Sequence, residues 1–491
     1  MDGLVSGEPW LQASAWDGKA FNGSWHAISS TASVVEPATG STLGSIGLAS
    51  PADISAAAQA ARLAQQEWKS TPYERRAEIL RNAARLAEQH RAEIEGWIVR
   101  ESGSIHAKAE YEGAVTIKCL YEASAMPSQA AGQVLPSEAG RLSLARRRPI
   151  GVVGVIAPFN FPLYLAIRAV APAIAVGNAV VLKPDPRTAV CGGVTIARIF
   201  EDAGLPAGVL QVLAGDGAAG AALCEDPNVG MIQFTGSTAA GRKVGEVAGR
   251  NLKKVSLELG GKNSIIILED ADLDLAVANT RWSTYLHQGQ ICMAAGRVLV
   301  HQSIAAEFTR RLSASAIATP VGDPASGQVA LGPLINTAQV DHAKAILDAS
   351  VAEGAEIAAG GTIDGLYFAP TVLTGVTRQM SAFTQEMFAP VAVVSTFETD
   401  DEAVALANDT DYGLSAAVIT NSIGRAMSIG ERLNVGLLHI NDATVNEEVV
   451  NPFGGVGASG NGTSIGGPAN WEEFTSWQWL TLKGAPPAYP L

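Results

Sequence analysis

The chain has 491 residues, 47% hydrophobic and only 17% charged, which is enough apolar material for two or three buried cores and excludes a disordered or collagen-like chain. A formal net charge of -14, from 34 basic and 48 acidic residues, opposes nucleic acid and anionic membranes as partners. Cys119, Cys191, Cys224 and Cys292 lie far apart with no C-x-x-C pair, which excludes a disulfide framework and a zinc knuckle and fits a reducing cytoplasm.

The first ten residues carry no basic side chain and lead into no apolar core, so no secretory signal is expected. Ser50-Pro51-Ala52-Asp53 predicts a helix capped by Ser50, with Pro51 at its first position, running to near Trp68. Thr71-Pro72-Tyr73-Glu74 predicts a capping box ahead of Ile79, Leu80, Ala83, Leu86 and Ala87 at helical spacing, with Gly103 as a stop. Residues 141–148 have strand character without a partner helix. The apolar stretch 149–182 is broken by Pro158, Asn160, Pro162, Arg168 and Pro172, which excludes an uninterrupted membrane span.

From residue 149 the pattern becomes strand–turn–helix. Short apolar runs at 152–156, 179–182, 209–213 and 231–234 read as buried strands, and a helix is expected over 189–203, ended by Gly204-Leu205-Pro206. A second set follows at 264–268, 297–301, 391–397 and 437–441, with a helix over 273–286. Two α/β layers in series are expected. Residues 477–483 repeat the isolated strand character of 141–148. Pairing of these two runs across subunits is one reading, and two edge strands of one sheet is the other.

The seven histidines form no H-x-x-H or H-E-x-x-H arrangement, and no G-x-S-x-G elbow falls at a strand–helix junction, so no metal site or serine hydrolase is expected. Four motifs remain. Gln288-Gly289-Gln290-Ile291-Cys292-Met293 holds a lone thiol, which on its own reads as a packed core cysteine. Val255-Ser256-Leu257-Glu258-Leu259-Gly260-Gly261-Lys262 sets a carboxylate in an apolar strand, where it is either salt-bridged or kept for proton transfer. Phe159-Asn160-Phe161-Pro162 places an amide at a strand end, or simply forms a turn. Phe234-Thr235-Gly236-Ser237-Thr238-Ala239-Ala240-Gly241 leads from a strand into a helix start whose N–H groups suit a diphosphate.

Together, in this order, the four motifs resemble the aldehyde dehydrogenase superfamily over nearly the whole chain. Leu182-Lys183-Pro184, Gln385-Glu386-Met387-Phe388 and Pro452-Phe453-Gly454-Gly455 add to the resemblance. It implies an α/β fold with a Rossmann-type NAD(P)-binding domain (1–126 and 149–258), an α/β catalytic domain (259–460) and a β-strand oligomerisation arm (127–148 and 461–491), assembled as a homodimer or homotetramer. It implies Cys292 as nucleophile, Glu258 as general base, and Asn160 with the backbone N–H of Cys292 as the oxyanion hole. It places NAD against Ile156, Pro158, Phe159, Lys183, Pro186, Arg187 and Gly220, and against Gly236, Ser237, Gly241, Leu259, Glu386 and Phe388. Lys183 would bond the adenosine ribose, and Glu386 with Phe388 the nicotinamide ribose.

The chemistry asks for such residues. A thiol of pKa about 8.5 needs a base or a positive field before it attacks an aldehyde. The oxyanion needs two fixed donors, and the resulting thioester needs water activated by a carboxylate. Relatives that pass the acyl group to coenzyme A generally lack a glutamate at the position of Glu258, so hydrolysis is expected. An inactive structural protein of this fold is the reading from another class, and intact Cys292 and Glu258 oppose it.

Two positions depart from the family pattern. Pro186 stands where strongly NAD-selective relatives carry glutamate, and Arg187 adds positive charge, so NADP is expected to be tolerated beside NAD. Ala389 replaces a usual glycine and is harmless unless the backbone angle there is unusual. For the substrate, the family's tunnel positions correspond to Leu165, Arg168, Trp282, Leu286, Ile291, Met293 and Phe453, which suit a small aromatic aldehyde. Arg168 is the exception: it either turns away into a salt bridge or meets a phenolic oxygen. The runs His439-Ile440-Asn441-Asp442-Ala443-Thr444-Val445-Asn446-Glu447-Glu448 and 452–460, with the tail 471–479, resemble the benzaldehyde and vanillin dehydrogenase branch. This leaves benzaldehyde, vanillin and salicylaldehyde open, with a broad aliphatic preference as the alternative.

Overall fold

The computed structural model describes residues 9–490, so the expectation about a leader at residues 1–8 lies outside the described residues. The first sheet runs Lys254–Glu258, Met231–Thr235, Val152–Ile156, Ala179–Lys183 and Leu210–Val212, all parallel, and ends in the antiparallel hairpin Lys19–Phe21 and Trp25–Ala27. Helices cover both faces of the parallel part, which is why its strands read as unbroken apolar runs. In the second sheet the order is Glu356–Ala359, Thr371–Thr374, Val391–Phe397, Ala295–His301, Asn263–Ile267, Ser415–Ile419 and Leu437–Ile440, with only the first pair antiparallel. Three of these strands, at 356–359, 371–374 and 415–419, escape the sequence pattern because they are short and built partly of Ala, Thr, Ser and Glu.

The two isolated runs pair with each other. Thr475–Lys483 lies antiparallel to Arg141–Pro149 along its whole length, from Thr475 opposite Pro149 to Lys483 opposite Arg141, and Gly132–Leu135 adds a third strand. The run at 141–149 is thus the central strand of this small sheet, which corrects its reading as an edge. Arg147 stacks on Trp477 at 4.2 Å, and Trp477, Trp479, Leu482 and Val134 stay exposed.

The two expected helix starts differ. Ser50 and Asp53 cap each other ahead of Pro51–Trp68, the Ser50 N–H donating to Asp53 Oδ2 at 2.8 Å. The box at Thr71–Glu74 does not form: Pro72 occupies the cap of Tyr73–Gln89, and the Thr71 hydroxyl donates backwards to the Glu67 carbonyl in the last turn of the preceding helix. A further helix, Arg91–Ser102, ends at Gly103, whose φ of 66° is the left-handed stop. The expected helix over 189–203 opens as a π turn, Val190–Val194, in which the Thr195 N–H reaches back to the Val190 carbonyl, before Thr195–Asp202; the buried Glu101 carboxylate accepts the Val190 and Cys191 N–H groups at its start. The helix expected over 273–286 ends at Tyr285. No helix among the described residues is long and apolar enough to cross a membrane.

Candidate active site

The four motifs converge at the C-terminal ends of the parallel strands, where open α/β sheets bind ligands. Lys254–Glu258 ends in Glu258 and continues through Gly260-Gly261 into the second sheet. Val152–Ile156 ends in the Asn160 turn before the helix Pro162–Ala175. Cys292 lies between the helix Leu273–Tyr285 and the strand Ala295–His301.

The chain just before Cys292 takes three consecutive left-handed residues, His287, Gln288 and Gly289, with φ of 49°, 56° and 69°. Two of these are not glycine, and surrounding contacts hold the strained turn. Gln288 Nε2 donates to the Gly103 and Pro333 carbonyls at 3.0 and 2.8 Å, and Gln290 Oε1 accepts the Ile335 N–H at 3.0 Å. Asn263 Nδ2 holds the Cys292 carbonyl at 2.8 Å. The double glycine follows from close approach. A Cβ on Gly261 would lie 2.4 Å from the Cys292 carbonyl oxygen, and one on Gly260 would lie 2.3 Å from Glu386 Oε2.

Glu258 is 2% exposed and neither carboxylate oxygen has a hydrogen-bond partner. Burial holds its pKa well above the ordinary range, and the nearby Arg168 charge opposes this only in part. Burial likewise pushes the Cys292 thiol up to about 12, against the pull of Arg168. Burial thus disfavours the charged form of both the thiol and the carboxyl. Alkylation of Cys292 by iodoacetamide should then accelerate about tenfold per pH unit from pH 7 to 9, because below its pKa the thiolate fraction rises tenfold per unit. Peptide mass spectrometry reads the rate, and a plateau above pH 8 would contradict the raised pKa.

Two cavities share Asn160, Leu165 and Cys292 in their walls. The first, of about 440 Å³, is lined by Leu165, Trp282, Leu286, Ile291, Met293 and Phe453, all expected. Arg168 is the correction. It lies behind this wall with Nη1 2.9 Å from Glu447 Oε1 and its guanidinium 4.5 Å from the Phe453 ring, so the salt-bridge alternative holds. Residues not foreseen complete the wall: Lys108 and Tyr111 from the helix His106–Ala125, then Phe161, Tyr164, Asn279 and Glu447. Tyr164 Oη donates to Glu447 Oε1 at 2.9 Å, and Tyr111 Oη to the Glu447 carbonyl at 3.2 Å. The one available signal was the helical spacing of Lys108 and Tyr111.

The second cavity, of about 370 Å³, is lined by Ile156, Pro158, Phe159, Lys183 and Arg187, and across from them by Gly236, Ser237, Leu259, Glu386 and Phe388. Asp185, Gln339 and His342 join them unforeseen. Pro186, Gly220 and Gly241 do not line it. Pro186 opens a 3-10 turn, a Cβ on Gly220 would meet the Lys183 stem at 3.5 Å, and one on Gly241 would strike Leu259 at 2.2 Å. Ser237 caps the helix Thr238–Arg250 by accepting the Ala240 N–H, and Lys183 Nζ donates to the Gly215 carbonyl at 2.7 Å. Glu386 accepts the Gly261 N–H at 3.0 Å, and burial lifts its carboxyl to about 7.

Arg187 does not add free positive charge: it grips Asp185 through Nε and Nη2 at 2.8 and 2.6 Å and stacks on Phe159 at 4.2 Å. Phe388, with φ of 53°, takes the left-handed angle, while Ala389 is not among the described residues with positive φ. The methyl of Ala389 is therefore accommodated.

Residues 25–480 match the aldehyde dehydrogenase family, and the chain belongs to it. The chain is 53% identical over 482 residues, 98% of its own length and 99% of the relative's, to a vanillin dehydrogenase of Amycolatopsis sp.. It is 47% identical over 477 residues, 97% and 98% of the two lengths, to a benzaldehyde dehydrogenase (NAD+) of Pseudomonas putida. Its structure matches a crystal structure of betaine aldehyde dehydrogenase from Staphylococcus aureus in complex with NAD+ with a TM-score of 0.94 at 29% identity, over 97% of this chain and 96% of that one.

Proposed function

We propose that the protein oxidises aromatic aldehydes to carboxylic acids with NAD, by hydrolysis of a thioester on Cys292. The observation that carries this reading is the meeting, at Cys292 and Asn160, of an aromatic-walled cavity and a second cleft that mixes apolar and charged side chains. The cleft's chemistry fits a dinucleotide: the Lys183 ammonium suits a ribose, the N-terminus of Thr238–Arg250 suits a diphosphate, apolar Ile156 and Leu259 suit rings, and Glu386 with Phe388 suits the second ribose. Bound there, the nicotinamide would supply the hydride acceptor.

The chain's own residues do the rest. Cys292 gives up its thiol proton to solvent water, Sγ bonds to the carbonyl carbon, and the carbonyl electron pair moves onto oxygen. Asn160 spends one N–H on the Gln290 carbonyl at 2.9 Å, which leaves the other, with the Cys292 backbone N–H, for the oxyanion. After oxidation the acyl group sits on Cys292. Glu258, once ionised, takes a proton from water whose oxygen adds to the thioester; the C–S bond then breaks and the departing sulfur takes that proton from Glu258. A raised pKa makes Glu258 the stronger base for that step.

The names of the relatives and the wall of Phe161, Tyr164, Trp282 and Phe453 support an aromatic substrate. The largely apolar wall offers an anionic aldehyde little to replace its hydration. A kcat/KM ranking of benzaldehyde, its hydroxy and methoxy derivatives, cinnamaldehyde, hexanal, acetaldehyde and succinic semialdehyde tests this. The benzaldehydes should lead and differ among themselves by about 10–200-fold at most. A ranking led by acetaldehyde or succinic semialdehyde would overturn the aromatic assignment and leave the enzyme class standing.

NADP is tolerated beside NAD on this reading, because Pro186 offers no carboxylate and Arg187 neutralises Asp185. Burial would raise the Asp185 carboxyl, yet Arg187 holds it below its ordinary range. Arg187→Ala should free that anion to repel a 2′-phosphate, raising the NAD-over-NADP ratio of kcat/KM by about tenfold. An unchanged or falling ratio would mean that Asp185, once freed, does not repel the phosphate.

In the same reading, residues 1–126 and 149–258 bind the nucleotide, 259–460 carry catalysis, and 127–148 with 461–491 form the arm of a homodimer or homotetramer. The exposed Trp477, Trp479 and Leu482 on that small sheet support the arm. The four cysteines are free thiols, which suits the cytoplasm.

A further inference from the structure

Lys108 and Glu112 stand one turn apart on the helix His106–Ala125, pair with each other, and have fully buried side chains. Lys108 forms part of the aldehyde cavity wall and its Nζ lies 4.2 Å from the centre of the Phe161 ring. Glu112 Oε1 accepts the Leu163 and Tyr164 N–H groups at 2.8 and 3.1 Å. Those donors belong to the first turn of Pro162–Ala175 and have no partner inside their own helix.

Such donors are ordinarily satisfied by a Ser, Thr, Asp or Asn just ahead of the helix. Here Phe161 holds the cap position without a side-chain cap, and the nearby Asn160 amide is turned to the Gln290 carbonyl in the nucleophile loop. An asparagine beside an unsatisfied helix start competes for its N–H groups. Glu112 removes that competition from 51 residues away, and its negative charge also suits the helix N-terminus. Phe161 is held between Lys108 and the His287 ring, whose centre is 5.6 Å from its own. A buried ion pair is a weak stabiliser compared with an apolar pair of like volume, so stability alone does not account for this one.

We propose that Lys108 and Glu112 are positioning residues for acylation: by capping the Pro162–Ala175 helix in place of Asn160 and clamping Phe161, they keep the Asn160 amide aimed at the oxyanion. The inference rests on Asn160 being an oxyanion donor, as argued above. Its test is the rapid NADH burst of the complete enzyme with benzaldehyde and NAD, measured for Lys108→Met/Glu112→Ala, for Asn160→Ala, and for the triple variant. The pair variant should slow the burst by about tenfold or more, with KM for NAD within about twofold of the parent. The triple variant should be no slower, within about twofold, than the slower of its two components, because both act on one amide.

Lys108→Met/Glu112→Gln keeps an acceptor for the helix N–H groups and an unbranched chain of similar length against Phe161, so it should recover the burst to within about threefold of the parent, and it tests the proposal if the alanine variant fails to fold. A pair variant with an unchanged burst beside a slow Asn160→Ala overturns the proposal alone. Losses that multiply in the triple variant, or a tenfold loss in the glutamine variant, also overturn it. An unchanged burst in Asn160→Ala itself overturns the oxyanion reading and the proposal with it.

Discussion

Cys292→Ala is expected to lower kcat for benzaldehyde by at least about 10³-fold while the NAD dissociation constant stays within about twofold. No other thiol can take over. Cys119, Cys191 and Cys224 are all buried away from the site. None of the three lines either cavity. The loop carrying residue 292 keeps its hold through Gln288, Gln290 and Asn263, so removal of one sulfur should leave the fold intact. NADH absorbance gives the rate and fluorescence quenching the cofactor affinity. Turnover above a few per cent of the parent would point to a different nucleophile.

Glu258→Gln separates the two halves of the reaction. Steady-state turnover should fall by about 10²–10⁴-fold, while a single-turnover burst of NADH survives, because the amide cannot take a proton from water. Neither Glu258 oxygen is hydrogen-bonded, so the substitution removes no structural partner. Loss of the burst would mean that the carboxylate also activates the thiol. That outcome would fit the high resting pKa of Cys292, which no nearby cation offsets fully.

Legibility in the sequence tracked local chemistry. The parallel strands around Val152–Ile156 and Ala179–Lys183 were readable because both of their faces are buried, and Cys292, Glu258 and Asn160 stood out as polar or reactive residues in apolar company. Facts set by distant partners were not readable. Arg146 and Gln478, bonded across the small sheet, are 332 residues apart, and Arg168 turns to a glutamate 279 residues away. Thr71 failed as a cap because an earlier helix claimed its hydroxyl. The pairing of Arg187 was different: its partner, Asp185, is only two residues away and was open to inspection. Capping by Glu112 was hidden, since an acid and a lysine four apart on a helix usually mark a solvated face.

The most direct measurement of the central claim is the intact mass of Glu258→Gln after one turnover with benzaldehyde and NAD, followed by peptide mapping. The account predicts one benzoyl group per chain, carried on Cys292 and released by hydroxylamine. An unmodified chain after NADH has formed, or an acyl group on Cys119, Cys191 or Cys224, would contradict it.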